Sequence, residues 1–356
     1  MSELRINNIT DRAGSSGPII AGVSTVTSTS HMVMPSGPTE MRGGRGRAIF
    51  CGGYTPTIVN TIDTVEIATT GNAVDFGDLP RVTVDTGSFS SATRGFTAGG
   101  YDPGYISAID FVIFSSGGGG NEFGDMPERT WGINCCANST RGILMGGRAH
   151  TDDNPYNGGY MDRILFVEMA TGGKDASLFG DLLRPQEIGL TLGQTGTLTG
   201  ATYASTTRGI VAGGGTPRTK VIQFITIATK GNAQNFGELS QEASRVTGFS
   251  SPTRGLSAGG FNNTPSATKS NVIEFVTIAT LGNATDFGDL TAQRYSPGSG
   301  SSKTRGVIGG GNTQPAKTNV IDFVTIASAG NASDFGDLTS ARMNVGSSDA
   351  HGGLGD

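Results

Sequence analysis

The clearest pattern in the chain is a nearly unbroken apolar run, Val272-Ile273-Glu274-Phe275-Val276-Thr277-Ile278-Ala279. Strict alternation of apolar and polar residues would mark a strand with one wet face; this run predicts a strand covered on both faces. Its many β-branched residues favour a strand, and it holds few strong helix formers. A shorter apolar segment precedes it, Arg254-Gly255-Leu256-Ser257-Ala258-Gly259-Gly260, ending in a glycine pair that permits positive φ as the chain turns. After the long run comes a Gly282-Asn283-Ala284 turn, then Asp286-Phe287-Gly288-Asp289-Leu290. A segment of mostly small residues follows, Arg294 to Ser301. The order predicts a unit of four antiparallel strands: small-residue, short apolar, long apolar, and an outer strand carrying one Phe.

The unit recurs six times. Its Phe-Gly-acid element stands at Phe76, Phe123, Phe179, Phe236, Phe287 and Phe335, with spacings of 47, 56, 57, 51 and 48 residues. Strand-rich periods of about 40–50 residues point to a β-propeller. In a propeller the small-residue strand belongs at the narrow axis. The first unit, near Arg45, has no small-residue strand before it, and the chain finishes on one, Arg342 to Ala350. A C-terminal strand completing the first blade would close the ring and remove both sheet edges. The fold expected is therefore all-β: a six-bladed propeller over residues 45–356, closed by the C-terminal strand, behind an extended arm of residues 1–44.

These phrases carry a resemblance. A small-residue strand, an apolar strand ending Gly-Gly, a second apolar strand and an aromatic residue before Leu79-Pro80 or Met126-Pro127 resemble the kelch repeat, with Phe where kelch usually has Trp. The Thr-Arg-Gly…Gly-Gly and Gly-Asn-Ala-x-Asp-Phe-Gly-Asp-Leu phrases, and the leader Ser16 to Thr25, look like repeat proteins encoded by phages of marine cyanobacteria. The resemblance covers essentially the whole chain. It implies a virion component assembled in the host cytoplasm, with capsid, portal or tail proteins as partners and self-association in many copies. It fixes no reaction and no position on the particle.

Composition adds bounds. Hydrophobic residues make up 35% and charged residues 15%, while 58 glycines occur without a collagen period, as suits short strands and tight turns. A net charge of −5 without a basic stripe argues against a nucleic-acid partner. No apolar run approaches the roughly 18 residues of a membrane helix, so no membrane insertion is expected. The start, Met1 to Asn8, lacks the apolar core of a signal peptide. Cys51, Cys135 and Cys136 cannot form a disulfide framework and read as small core residues of a chain folded in a reducing cytoplasm.

Two regions outside the repeat are candidates for contact. In the arm, Ile19, Ile20, Val23, Val26, Met32 and Met34 lie in short strand-like segments flanked by Gly17-Pro18 and Gly37-Pro38. They read as a hairpin laid on the propeller, as a docking arm that adds strands to a neighbour, or as a disordered segment. In the third unit an enlarged loop gathers Arg148, His150, Asp152, Asp153, Tyr156 and Tyr160, a polar patch that could bind a partner or be neutral surface variation. It is followed by a long link to the fourth unit, Leu182 to Thr207. The recurring Arg94, Arg141, Arg208, Arg254 and Arg305, and the recurring acids of the Phe-Gly-acid element, read as blade glue through charge-assisted bonds to turn carbonyls or carboxylates.

Catalytic signals are weak. The three histidines, His31, His150 and His351, show no metal spacing, and no Gly-x-Ser-x-Gly elbow accompanies His150. Gly117 to Gly120 aligns with the Gly-Asn-Ala turns and reads as a turn, not a phosphate loop. No cofactor, no metal and no enzymatic activity are expected. The reading is a virion structural or appendage protein, as head or tail decoration or fibre component. The alternative is a propeller that recognises host-surface polysaccharide through Tyr101, Tyr105, Tyr156 and Tyr160, and behind that a glycoside hydrolase. Trp131, the only Trp, reads as an inner-strand residue.

Overall fold

In the computed structural model of the protein, the described residues are 25–26, 32–33, 46–150, 152, 159–171, 173–183, 199–215, 218–262 and 268–355. The long apolar run forms the third strand of every blade, as in Val272–Thr277 and Val320–Thr325, and its burial falls on both faces. Six antiparallel sheets follow the same order outward, for example Gly298–Ser301, Arg305–Gly309, Val320–Thr325 and Ser333–Asp337 in blade 6. In blade 1 the inner strand is Met343–Ser348, which pairs with Arg47–Tyr54 and closes the ring as the chain ends predict. The protein is a six-bladed β-propeller. In blade 4 the outer strand Gln234–Ser244 runs on to pair with Phe261–Asn262 from blade 5.

The core consists of six clusters, and each straddles two neighbouring blades. The cluster of Ala48, Phe50 and Val65 with Val307, Ile321 and Phe335 joins blade 1 to blade 6, so the seam at closure matches the others. Each outer-strand Phe lies in such a seam, where burial is worth roughly 1.5–3 kcal/mol.

Polar groups lock the same seams. Arg305 donates from Nη1 to Ile67 O and Ala68 O of blade 1, both at 3.0 Å, while its guanidinium lies 4.5 Å from the Phe323 ring. Arg94, Arg141, Arg208 and Arg254 repeat this reach onto carbonyls of the next blade, as the sequence pattern suggests. At the rim, the Gly71 N–H donates to Phe335 O and the Ala73 N–H to Asp337 O, each at 2.8 Å, and Asn72 Oδ1 accepts from the Asp337 N–H at 3.1 Å. The Gly-Asn-Ala turn is thus a clasp on the Phe-Gly-acid strand of the preceding blade. Gly118 and Gly120 of the four-glycine run make the same two bonds, to Phe76 O and Asp78 O. Gly336 must be glycine: its φ is 149°, and a Cβ would stand 2.4 Å from Gly71 O.

The acidic position of the third strand is covered with the rest of the run: Asp63 and Asp322 are wholly buried. Asp322 accepts from Thr291 N at 3.0 Å, Thr291 Oγ1 at 2.7 Å and Arg294 Nη2 at 2.9 Å. Asp63 receives the same trio from Thr339 and Arg342. The carboxylate latches the link that enters its blade, and the buried Arg neutralises it.

At the axis, small size is only half of what the inner strands require. Their inner edges carry unpaired backbone groups, and hydroxyls of neighbouring blades satisfy them. Ser90, Ser348, Ser301 and Ser250 donate in succession to Ser348 O, Ser301 O, Ser250 O and Ala204 O at 2.7–2.8 Å. Blades 3 and 4 have Ala137 and Ala204 at this level and break the ring. Ser90 O is instead met by His351 Nε2 at 2.9 Å, where the turn Gly352–Leu354 plugs that end of the channel. His351 Nδ1 accepts from Gly353 N, so the proton sits on Nε2, and burial holds the ring below its ordinary pKa. All three cysteines are buried free thiols; burial pushes Cys51 and Cys136 up to about 12.

Candidate functional site

At the glycine-pair end, loops between second and third strands meet the links that enter inner strands. Val84 bridges to Tyr101, Tyr295 bridges to Asn312, and Thr130–Trp131 pairs with Arg148–Ala149. The enlarged loop of blade 3 therefore sits beside the loop of blade 2. Trp131 corrects the sequence reading: it belongs to this outer ladder, not to the inner strand Asn134–Ala137.

Tyr105 is the hub of the surface between these two blades. Its ring lies 6.2 Å from Tyr101, 6.1 Å from Trp131 and 5.3 Å edge-on from His150. Such tilted and edge contacts suit the ring quadrupoles and hold the group rigidly. Tyr101 remains 38% exposed. The Trp131 indole N–H is buried and has no hydrogen-bond partner among the described residues.

His150 binds the polar half together. Its Nδ1 lies 3.3 Å from Arg129 Nη2 and 3.3 Å from the Asp152 N–H. Both are donors, so Nδ1 accepts and Nε2 carries the proton in the neutral ring. Asp152 Oδ2 stands 3.4 Å from Nδ1 and 4.0 Å from Arg129, with the carboxylate largely in solvent, so these contacts orient more than they stabilise. Arg148 bridges to Tyr160 and lies 5.4 Å over its ring.

The loop residues Arg148, His150, Asp152 and Tyr160 are thus placed at one end of the propeller, with His150 joined to Tyr105 of blade 2. Asp153 and Tyr156 lie outside the described residues. Arg129 and Trp131 belong to the group although no motif marks them; the signal was positional, since they precede an inner strand where the other links pass under a loop. In the arm, Thr25–Val26 pairs antiparallel with Met32–Val33, which places Val26 opposite Met32. Ile19, Ile20, Val23 and Met34 lie outside the described residues.

The surface presents rings, an imidazole, two guanidinium groups and one exposed carboxylate. These can recognise a partner by stacking and hydrogen bonds. Among the described residues, no three His, Cys, Asp or Glu side chains form a metal-ligating group. No protein-family model matches the chain, and no curated protein is detectably similar to it in sequence.

Proposed function

We propose that the protein is a non-enzymatic component of a phage particle, a head or tail decoration or fibre module that works by docking to other virion proteins. The observation that carries this reading is how the repeated polar residues are spent: the recurring Arg, Asn and Phe-Gly-acid groups hold blade to blade. A ring locked in this way suits a rigid outer module. Distinct chemistry is concentrated in the loops of blades 2 and 3, and the resemblance to cyanophage repeat proteins supplies the virion setting. The arm of residues 1–44 is the attachment element, and the module self-associates in many copies on the particle.

The test is deletion of residues 1–44 in the phage genome, followed by particle purification. Loss of the protein from particles, with the deleted chain still folded, supports docking through the arm. Full incorporation of the deleted chain would sink it.

A second reading, recognition of host-surface polysaccharide, is favoured by the aromatic group around Tyr105. Retention of the protein on host polysaccharide, lost in Tyr105→Ala, would support it.

A further inference from the structure

The channel mouth opposite the His351 plug has a collar that the sequence repeat does not reveal. Two residues before the inner strand, blades 2 to 6 place Asp85, Gly132, Thr199, Arg245 and Ser296, all left-handed, with φ of 51°, 65°, 51°, 56° and 50°. Backbone bonds link them around the axis. Gly132 N donates to Asp85 O at 2.7 Å, Thr199 N to Gly132 O at 3.2 Å, Val246 N to Thr199 O at 3.3 Å, and Ser296 N to Arg245 O at 3.0 Å.

The collar needs only the backbone, and glycine would adopt it free of strain. For other residues the left-handed region costs roughly 1–2 kcal/mol, and a β-branched Thr there is a true outlier. Blade 3 has glycine; the other four carry a carboxylate, two hydroxyls and a guanidinium. Strain kept at one structural position in four blades suggests that these side chains serve something other than the fold.

They frame a cavity of about 150 Å³ whose wall includes Ser88, Asn134 and Ser299 and whose floor is His351. Blades 2 and 5 face each other across the ring, and Arg245 Nη1 lies 3.7 Å from Asp85 Oδ1 over the axis. That is an ion pair too long for a hydrogen bond. Arg245 also reaches Ser296 Oγ at 3.4 Å, and its guanidinium lies 5.9 Å from the Tyr295 ring, which packs tilted against Phe261 with centroids 4.1 Å apart. Burial raises the Asp85 pKa, with Arg245 opposing the rise. Among the described residues, the mouth thus pairs a desolvated carboxylate that has no hydrogen-bond donor with a positioned guanidinium that has donors to spare.

Asp85 repels an anion and Arg245 repels a cation, so the site selects a neutral molecule with adjacent donors and acceptors. The hydroxyl-rich wall carries no further charge to fix separated ammonium and carboxylate groups. We infer that the channel mouth is a binding site for a neutral polyol of monosaccharide size. Vicinal hydroxyls of the ligand bridge Asp85 and Arg245, and the ring sits among Thr199, Ser296 and the inner-strand hydroxyls. The site is separate from the surface around Tyr105 and does not depend on docking.

The test is isothermal titration calorimetry of the full chain with glucose, galactose, mannose and, as the zwitterionic probe, L-alanine. Asp85→Gly and Arg245→Gly serve as variants, because glycine suits the left-handed backbone and should leave the unfolding temperature equal or higher. The expected result is saturable binding of at least one sugar, weakened about tenfold or more in each variant, as for loss of hydrogen bonds to a charged group. Failure of every sugar to bind overturns the inference, as does sugar binding unchanged in the variants. Binding of L-alanine alone overturns the ligand class. A lowered unfolding temperature in the variants would show that the side chains are structural.

Discussion

At the rim of the propeller, each blade repeats nearly the same side chains on the same backbone. At the channel mouth, the backbone repeats and the side chains differ. The rim glycines Gly288 and Gly336 stand where a Cβ would meet the next blade's carbonyl, and the Asn beside each clasp bonds a fixed amide. The collar holds Asp, Gly, Thr, Arg and Ser in one conformation. A residue type that recurs with the fold is explained by the fold. A conformation that recurs while residue type varies, against its own strain, asks for another cause.

The buried latches behind the collar give the largest test of this contrast. Arg342→Ala should destabilise the protein by about 3–5 kcal/mol, because it strands the fully buried Asp63 carboxylate. Arg305→Ala removes a half-exposed rim clasp and should cost only about 1–3 kcal/mol, the range for bonds from a charged donor. Urea denaturation of both measures the difference. Equal losses would show that rim and latch bear the same load.

The next effect concerns pH. Asp349 accepts from Gly46 N and Arg47 N, both at 2.8 Å, with Arg47 and Glu66 nearby; burial nonetheless raises its pKa to about 6. Its folded pKa lies above its unfolded one, so the folded chain binds the extra proton between about pH 4 and 6. Stability therefore falls as pH rises through that window, by up to roughly 3 kcal/mol. In Asp349→Asn the acceptor oxygen remains and the charge goes. The variant should match the wild type at pH 4 and exceed it at pH 7. His351 has the opposite sign: its folded pKa is lowered, so its contribution is present above about pH 6.5 and is lost as pH falls through and below that value. In the Asn variant this loss on acidification is set against the opposite contributions of Asp85 and Asp110, whose pKa values burial also raises, and His351→Gln separates the two. Thermal melts from pH 4 to 8 check both signs.

Much of this architecture is legible in the sequence because the seams repeat. The Phe of each outer strand, the Arg opening each second strand and the orphan C-terminal strand announce blade number and closure. The four-glycine run could be assigned to its turn by alignment alone. What escaped reading depends on side chains that meet only once strands from separate segments are paired. Asp63 meets Arg342 only because the chain ends are joined, and Asp85 meets Arg245 only because blades 2 and 5 are opposed. The candidate surface was half legible. His150 and Arg148 stood out as a loop insertion, whereas Trp131 read as an inner-strand residue until its pairing with Arg148 placed it, and Arg129 carried no signal until its contact with His150 was seen.

A rim glycine isolates backbone from side chain. Gly336→Ala places a methyl 2.4 Å from Gly71 O at a φ of 149°, and should cost about 1–3 kcal/mol. A cost near zero would mean that the clasp can open without loss, and the rim would lose its claim to hold the ring.

The smallest effect is the most pointed, because it reverses sign. Thr199→Gly replaces a β-branched residue at φ 51° with one that adopts this conformation freely, so the variant should be more stable by about 1 kcal/mol. Gly132→Ala, at the same collar position of blade 3, should be less stable by a similar amount. If Thr199→Gly instead destabilises, its side chain supports the fold and the collar is only a second kind of rim. If it stabilises while weakening sugar binding, the strain at the channel mouth is tied to a ligand.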